Sequence, residues 1–267
     1  IADSLYYDNA TVQLKNLETG AVFDLVKVDG NLEGYQRDEG VFAASPNYLY
    51  KIKAEDINLQ GGESMQLVVN SGSDEDLVTA DAKIIEPIVP SENLPNQELA
   101  LDDYDRTITT RWDHGEDTKI FDLRWVIRYK ESVPGTSDFV DKSVEWVLDR
   151  RLINDDERTK STFRFDAGEF FQFLSETIEE DPNVVRKNLR IDISIVGGGQ
   201  EFQEYLTIAD ANLGITSSNQ IPVYTNLSRG YGIFTSRGTA LREGLFLTPT
   251  ALDTLETGMY TKLLNFN

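Results

Sequence analysis

Alternation of apolar and polar residues organises most of this chain. Phe121, Leu123, Trp125, Ile127 and Tyr129 fall on one phase, opposed by Asp122, Arg124, Arg128 and Lys130, with Val126 the exception. Leu189, Ile191, Ile193 and Ile195 alternate with Arg190, Asp192 and Ser194, and Val144, Trp146 and Leu148 with Glu145 and Asp149. Successive side chains on a strand point to opposite faces, so this order predicts sheets with one face on a core and one in water. That is the antiparallel arrangement.

The N-terminal part reads the same way in shorter pieces. Ala10, Val12 and Leu14 alternate up to a turn signal at Glu18-Thr19-Gly20, and residues 22–28 form a second strand. After a Gly-rich acidic connection, Tyr48, Tyr50 and Ile52 mark a third strand. Gly61-Gly62 then turns into Met65, Leu67 and Val69. Short strands separated by turns, without a helical period, predict a small β-sandwich over residues 1–90. Pro87, Pro90 and Pro95 with Ser, Asn and Glu suit neither a central strand nor a helix, so residues 91–100 read as a linker. A larger antiparallel β-sandwich is expected over 101–267, making the fold class mainly β.

Two short helices interrupt the second domain. Asp166 and Glu169 have capping-box spacing, and Phe170, Leu174 and Ile178 recur every four residues before Pro182, predicting a helix near 167–180. Thr248 as N-cap, Pro249 at the first helical position and Gly258 as the stop predict another at 249–257. Gly197-Gly198-Gly199 reads as a hairpin turn, and residues 261–266 as a last strand.

Composition narrows the function classes. Hydrophobic residues at 40% of 267 are enough for a core, and no apolar run is long enough for a membrane-spanning helix. The formal charge of −21 repels phosphate backbones, so nucleic acid is not an expected partner. With no Cys and one His, the chain offers no disulfide, thiolate nucleophile or ordinary zinc or copper site, and no cofactor is expected. The chain begins at Ile1 rather than Met, which fits a processed product.

The remaining chemistry is sparse. His114 lies in Trp112-Asp113-His114-Gly115-Glu116-Asp117, which reads as a solvated acidic turn whose His has a raised pKa, rather than as a catalytic base. Acidic runs at 102–105, 154–157 and 74–76 lack EF-hand spacing and read as solvated loops. Trp125 and Trp146 sit on apolar phases and belong to a core, while Trp112, beside the turn, remains a candidate contact residue. One stretch concentrates aromatic and Arg side chains around two glycines: residues 222–237, with Tyr224, Asn226, Arg229, Tyr231 and Phe234 flanking Gly230 and Gly232. These residue types dominate interface hot spots. A bulged turn entering a core strand is the alternative.

The run 224–237, with an Asn ahead of Gly-Tyr-Gly-Ile-Phe, resembles a C-terminal signature of Bacteroidota envelope lipoproteins that carry a domain of unknown function. The N-terminal strand pattern is similar to their sandwich, which is of an immunoglobulin- or transthyretin-like kind. The resemblance implies a non-catalytic ectodomain at the cell envelope, held to the outer membrane by a removed N-terminal lipid anchor. Its implied partner is a TonB-dependent outer-membrane transporter or a surface nutrient. Two alternatives stay open: a carbohydrate-binding module or carboxylate-dependent glycoside hydrolase, and a structural adhesin subunit.

Overall fold

In the computed structural model, the described residues are 6–37, 44–72, 77–91, 97–154, 158–213 and 223–267. The fold is mainly β, with 43% strand, 14% helix and several antiparallel sheets. Its contacts form two compact units, and neither is a continuous stretch of chain. Unit 1 comprises residues 1–86 and 198–237; unit 2 comprises 87–197 and 238–267. The division expected at 91–100 therefore becomes three chain crossings, and the Tyr224 to Phe234 region belongs with the N-terminal strands.

Unit 1 is built on a four-stranded sheet in the order β2 (Val22–Asp24), β1 (Thr11–Asn16), β5 (Ser64–Asn70), β6 (Val78–Lys83). Antiparallel pairing sets Leu14, Leu67 and Ala80 in one row across it, and Asn16, Met65 and Ala82 in the next. Met65, Ala80 and Ala82 are buried, as period-2 order requires of the inward face. The strand expected over 22–28 is split: the Leu25 amide bonds back to the Val12 carbonyl, and β3 (Val26–Asp29) leaves to pair with β4 (Tyr48–Lys51).

Unit 2 holds the large core. A five-stranded sheet runs β11 (Phe139–Ile153), β10 (Ile120–Ser132), β13 (Arg186–Gly198), β14 (Arg237–Leu247), β8 (Glu98–Leu99). A three-stranded sheet runs β12 (Lys160–Asp166), β9 (Thr107–Asp113), β7 (Val89–Pro90). Leu123, Trp125 and Ile127 of β10 and Ile191 of β13 are buried in one cluster with Trp112 of β9 and Phe165 of β12. Edge-to-face aromatic contacts fix its centre, with the Trp125 ring 5.1 Å from Phe165 and 5.8 Å from Trp146. The proline-rich stretch does not behave as a free linker throughout. Val89–Pro90 pair with β9, Glu98–Leu99 add a parallel strand beside β14, and Leu99 is buried.

The helices close this core. α1 (Ala167–Thr177) begins where the Glu169 carboxylate accepts the Asp166 amide at 2.8 Å, and it buries Phe170, Phe171 and Leu174. α3 (Pro249–Thr257) has Thr248 as N-cap, its hydroxyl accepting the Ala251 amide, and buries Ala251 and Leu255. Two expectations fail at the ends of strands. Gly197 and Gly198 complete β13, and Gly199 leads into a helix, α2 (Gln200–Leu213), instead of a hairpin. The space at Gly197 explains the glycine there: a Cβ would lie 2.6 Å from Ile88 Cδ1 and 2.8 Å from Thr118 Cγ2. Residues 261–266 are turns ending in one bridge between Phe266 and Arg186, because the Leu264 and Asn265 carbonyls are taken by Arg186.

Candidate functional site

The aromatic and Arg-rich segment follows α2 in unit 1 as a loop lacking regular secondary structure over 223–236. Side chains substitute for a strand partner in holding it. The Asn226 amide donates to the Phe234 carbonyl at 2.6 Å while its Oδ1 accepts the Phe234 amide at 2.9 Å, closing the base of the loop. The same amide reaches the Asp81 carbonyl of β6 at 3.3 Å. Ser228 pairs with Thr79 of β6 in both directions, its amide donating to the Thr79 carbonyl and its hydroxyl accepting the Thr79 amide. Inside the loop, the Thr225 hydroxyl accepts the Leu227 and Gly232 amides.

This bracing sorts the predicted residues into two groups. Tyr224, Asn226 and Phe234 are half-buried and form the frame. The Tyr224 hydroxyl donates to Glu204 Oε2 of α2 at 2.8 Å. Burial, reinforced by that carboxylate and by Glu201, raises its pKa well above the usual tyrosine value. Arg229, Gly230 and Tyr231 form the exposed tip, with Tyr231 81% exposed. Gly230 has φ +86°, a left-handed conformation that glycine adopts without steric cost. At Gly232 a Cβ would approach Leu227 Cδ1 to 2.8 Å, so glycine lets the returning chain pass that side chain.

No protein-family model and no curated protein matches the chain.

The other predicted contact residue is placed elsewhere. Trp112 lies in unit 2, fully buried, with its ring 5.2 Å from Phe121 in an edge-to-face contact. It is a core residue, because β9 turns it inward beside Thr110. Trp125 is also fully buried, and Trp146 stacks on Phe173 with centroids 5.4 Å apart, so a sugar-stacking platform of tryptophans is not assembled.

His114 is likewise buried, not solvated. Its Nδ1 is 2.9 Å from the Gly115 carbonyl oxygen and its Nε2 is 2.9 Å from Ser161 Oγ, with Phe121 against the ring. The Ser161 bond ties the end of β9 to the start of β12, and the Gly115 bond fixes the ring locally. The acidic run at 102–105 is consumed locally: Asp102 pairs with Arg106 at 2.8 Å, and Asp103 caps the Asp105 amide. Residues 74–76 and 155–157 lie outside the described residues. Among the described residues, no group of three or more His, Cys, Asp or Glu side chains is arranged to hold a metal ion.

The residue types of the loop are conspicuous in the sequence, whereas the groups that support it are not. Ser228 and Glu204 supply bonds of 2.7–2.9 Å, comparable with the Asn226–Phe234 pair, and Thr225 adds two at 3.2 Å. Glu204 lies on α2, where the turn expected at Gly197-Gly198-Gly199 gives no reason to look for a helix. The spacing of Phe202, Leu206 and Ala209 with Glu201 in the first turn carries the helical signal.

Proposed function

We propose that this chain is a non-catalytic binding module that engages a partner protein through the loop tip at Arg229, Gly230 and Tyr231. The observation that carries this reading is the pairing of an unusually exposed Tyr231 with a frame of side-chain-to-backbone hydrogen bonds beneath it. A pre-ordered loop loses little conformational entropy on docking, and Tyr and Arg are the side chains that most often anchor interfaces. The resemblance of residues 224–237 to envelope lipoproteins supports an outer-membrane partner of the TonB-dependent transporter class, with the chain tethered at the cell envelope. The absence of a tryptophan platform weighs against the carbohydrate-binding alternative.

A photoreactive side chain at position 231 tests the reading in the organism of origin. One dominant adduct is expected, a transporter subunit, and Arg229→Ala should reduce its yield several-fold while leaving the circular dichroism spectrum unchanged. Adducts no different from those formed by the same probe at exposed Tyr205 would overturn it.

A further inference from the structure

The water-facing side of the five-stranded sheet in unit 2 carries a groove of about 700 Å³ across β11, β10 and β13. That volume is in the range of small-molecule sites. Its charge runs against that of the chain. Arg128, Lys130, Lys142 and Arg190 line it, with Asp141 the lone carboxylate among the lining residues, in a protein of net charge −21.

Three of these four cations have a carboxylate within 4 Å, and each of those carboxylates is either engaged by a second donor or largely exposed. Asp192, 4% exposed, accepts the Gly244 amide at 2.8 Å through one oxygen and binds Arg128 Nε at 2.6 Å through the other. It thus fixes the Arg128 guanidinium while its own charge stays beneath the surface. Glu131 lies 3.8 Å from Lys142 but is 2.9 Å from the guanidinium of buried Arg186, so it is already compensated. Asp141, which meets Lys130 at 3.0 Å, is 86% exposed, so water screens that pair.

Arg190 has no carboxylate partner among the described residues. Its guanidinium lies over the Phe246 ring at 4.1 Å, and Nη1 donates to the Leu189 carbonyl at 2.7 Å. Two guanidinium groups are therefore held on adjacent strands by contacts that leave N–H donors unused. Asn188, beside them, sits at φ +57°, a left-handed backbone within a strand, and such departures recur at binding sites. Its amide and the Ser143 hydroxyl add neutral donors to the groove.

We propose that this groove binds a small anion carrying two or more oxyanion groups, carboxylate or phosphate, one on each guanidinium. A guanidinium offers a planar fork that matches either group with two parallel hydrogen bonds, and charge-assisted bonds of this kind are the strong ones. The strongly negative remainder of the chain disfavours diffuse anion adsorption, so affinity must arise at the groove.

Calorimetric titration of the full chain at low salt provides the test, using citrate and pyrophosphate as probes and glycerol as the neutral control. Binding of one or both probes with a Kd below about 1 mM is expected, weakening as salt is raised. The tighter probe identifies the carboxylate or the phosphate source. Arg128→Gln and Arg190→Gln should each weaken binding about tenfold or more, consistent with loss of a charge-assisted pair. Should either fail to fold, Lys130→Gln combined with Lys142→Gln carries the test, with a loss of similar size. Arg229→Ala should leave this binding unchanged, which separates the groove from the loop. Binding of neither probe, or equal weakening by the distant substitution Lys160→Gln, would overturn the proposal.

Discussion

Arg186 is the clearest place to test the energetics of unit 2. Its side chain is 3% exposed and donates Nε to Glu131 at 2.9 Å, Nη1 to the Leu264 carbonyl at 2.6 Å and Nη2 to the Glu179 carbonyl at 2.9 Å. Its backbone also bonds Asn265 and Asn267, so one residue ties the C-terminal segment and the end of α1 to β13. Arg186→Ala leaves the 19%-exposed Glu131 with only Lys142 at 3.8 Å and two carbonyls without their donors. Removing one partner of a buried pair costs about 3–5 kcal/mol, and the partial exposure of Glu131 places the expected loss near the lower figure, ~3 kcal/mol.

The three tryptophans, Trp112, Trp125 and Trp146, all lie in unit 2, so their emission follows its unfolding in urea. With a slope of ~2–3 kcal/mol per M, the midpoint should fall by ~1–1.5 M. Arg186→Met with Glu131→Gln should recover more than half of that loss, because neither uncompensated charge remains. A single-variant loss under ~1 kcal/mol, the size of a surface ion pair, would refute the view that this node holds the segment.

Two further outcomes follow from other parts of the fold. Tyr224 and Tyr129 both have raised pKa values, chiefly from burial, so each keeps its proton in the folded chain beyond the value of about 10 at which an unfolded tyrosine ionises. Their contribution to stability is complete below that pH and is lost as pH rises above it. Absorbance at 295 nm should show late-titrating tyrosine signal, part of it removed by Tyr224→Phe and part by Tyr129→Phe; loss of signal only near the ordinary tyrosine value of about 10 in either variant would refute this. Gly197→Ala should destabilise unit 2 by ~1–3 kcal/mol through overlap with Ile88 and Thr118, and adding Ile88→Val, which deletes the Cδ1 at 2.6 Å, should restore part of it in the same urea assay.

What could be read from the sequence follows the strength of the local signal. The strands around Trp125 and Ile191 were legible because one face is fully buried, which forces strict alternation over many residues. α1 and α3 were legible because their caps are local chemistry. α2 was not, since its described side chains are at most half-buried and the three glycines before it imitate a turn. His114 and Trp112 were misplaced for a related reason: an acidic, Gly-containing stretch looks solvated, yet β9 and β12 enclose its first residues. At the loop, the residue types pointed to an interface, while the framing role of Asn226 depended on a carbonyl eight residues away. The cationic groove draws on β10, β11 and β13, and no single stretch of sequence announces it.

The interleaved composition of unit 1 sets an order on its manufacture. A ribosome releases β1, β5 and β6 early, but the Asn226, Ser228 and Ser236 groups that bond Asp81, Thr79 and Ile85 emerge roughly 150 residues later. At ~5–20 residues per second that interval is ~8–30 s. Throughout it, one margin of the nascent sheet lacks those partners, as a temporary template for another chain. Two of its features limit that hazard: β6 is only six residues long, and it carries Asp81 and Lys83. For this protein, completing the second half of the chain is also what finishes the first.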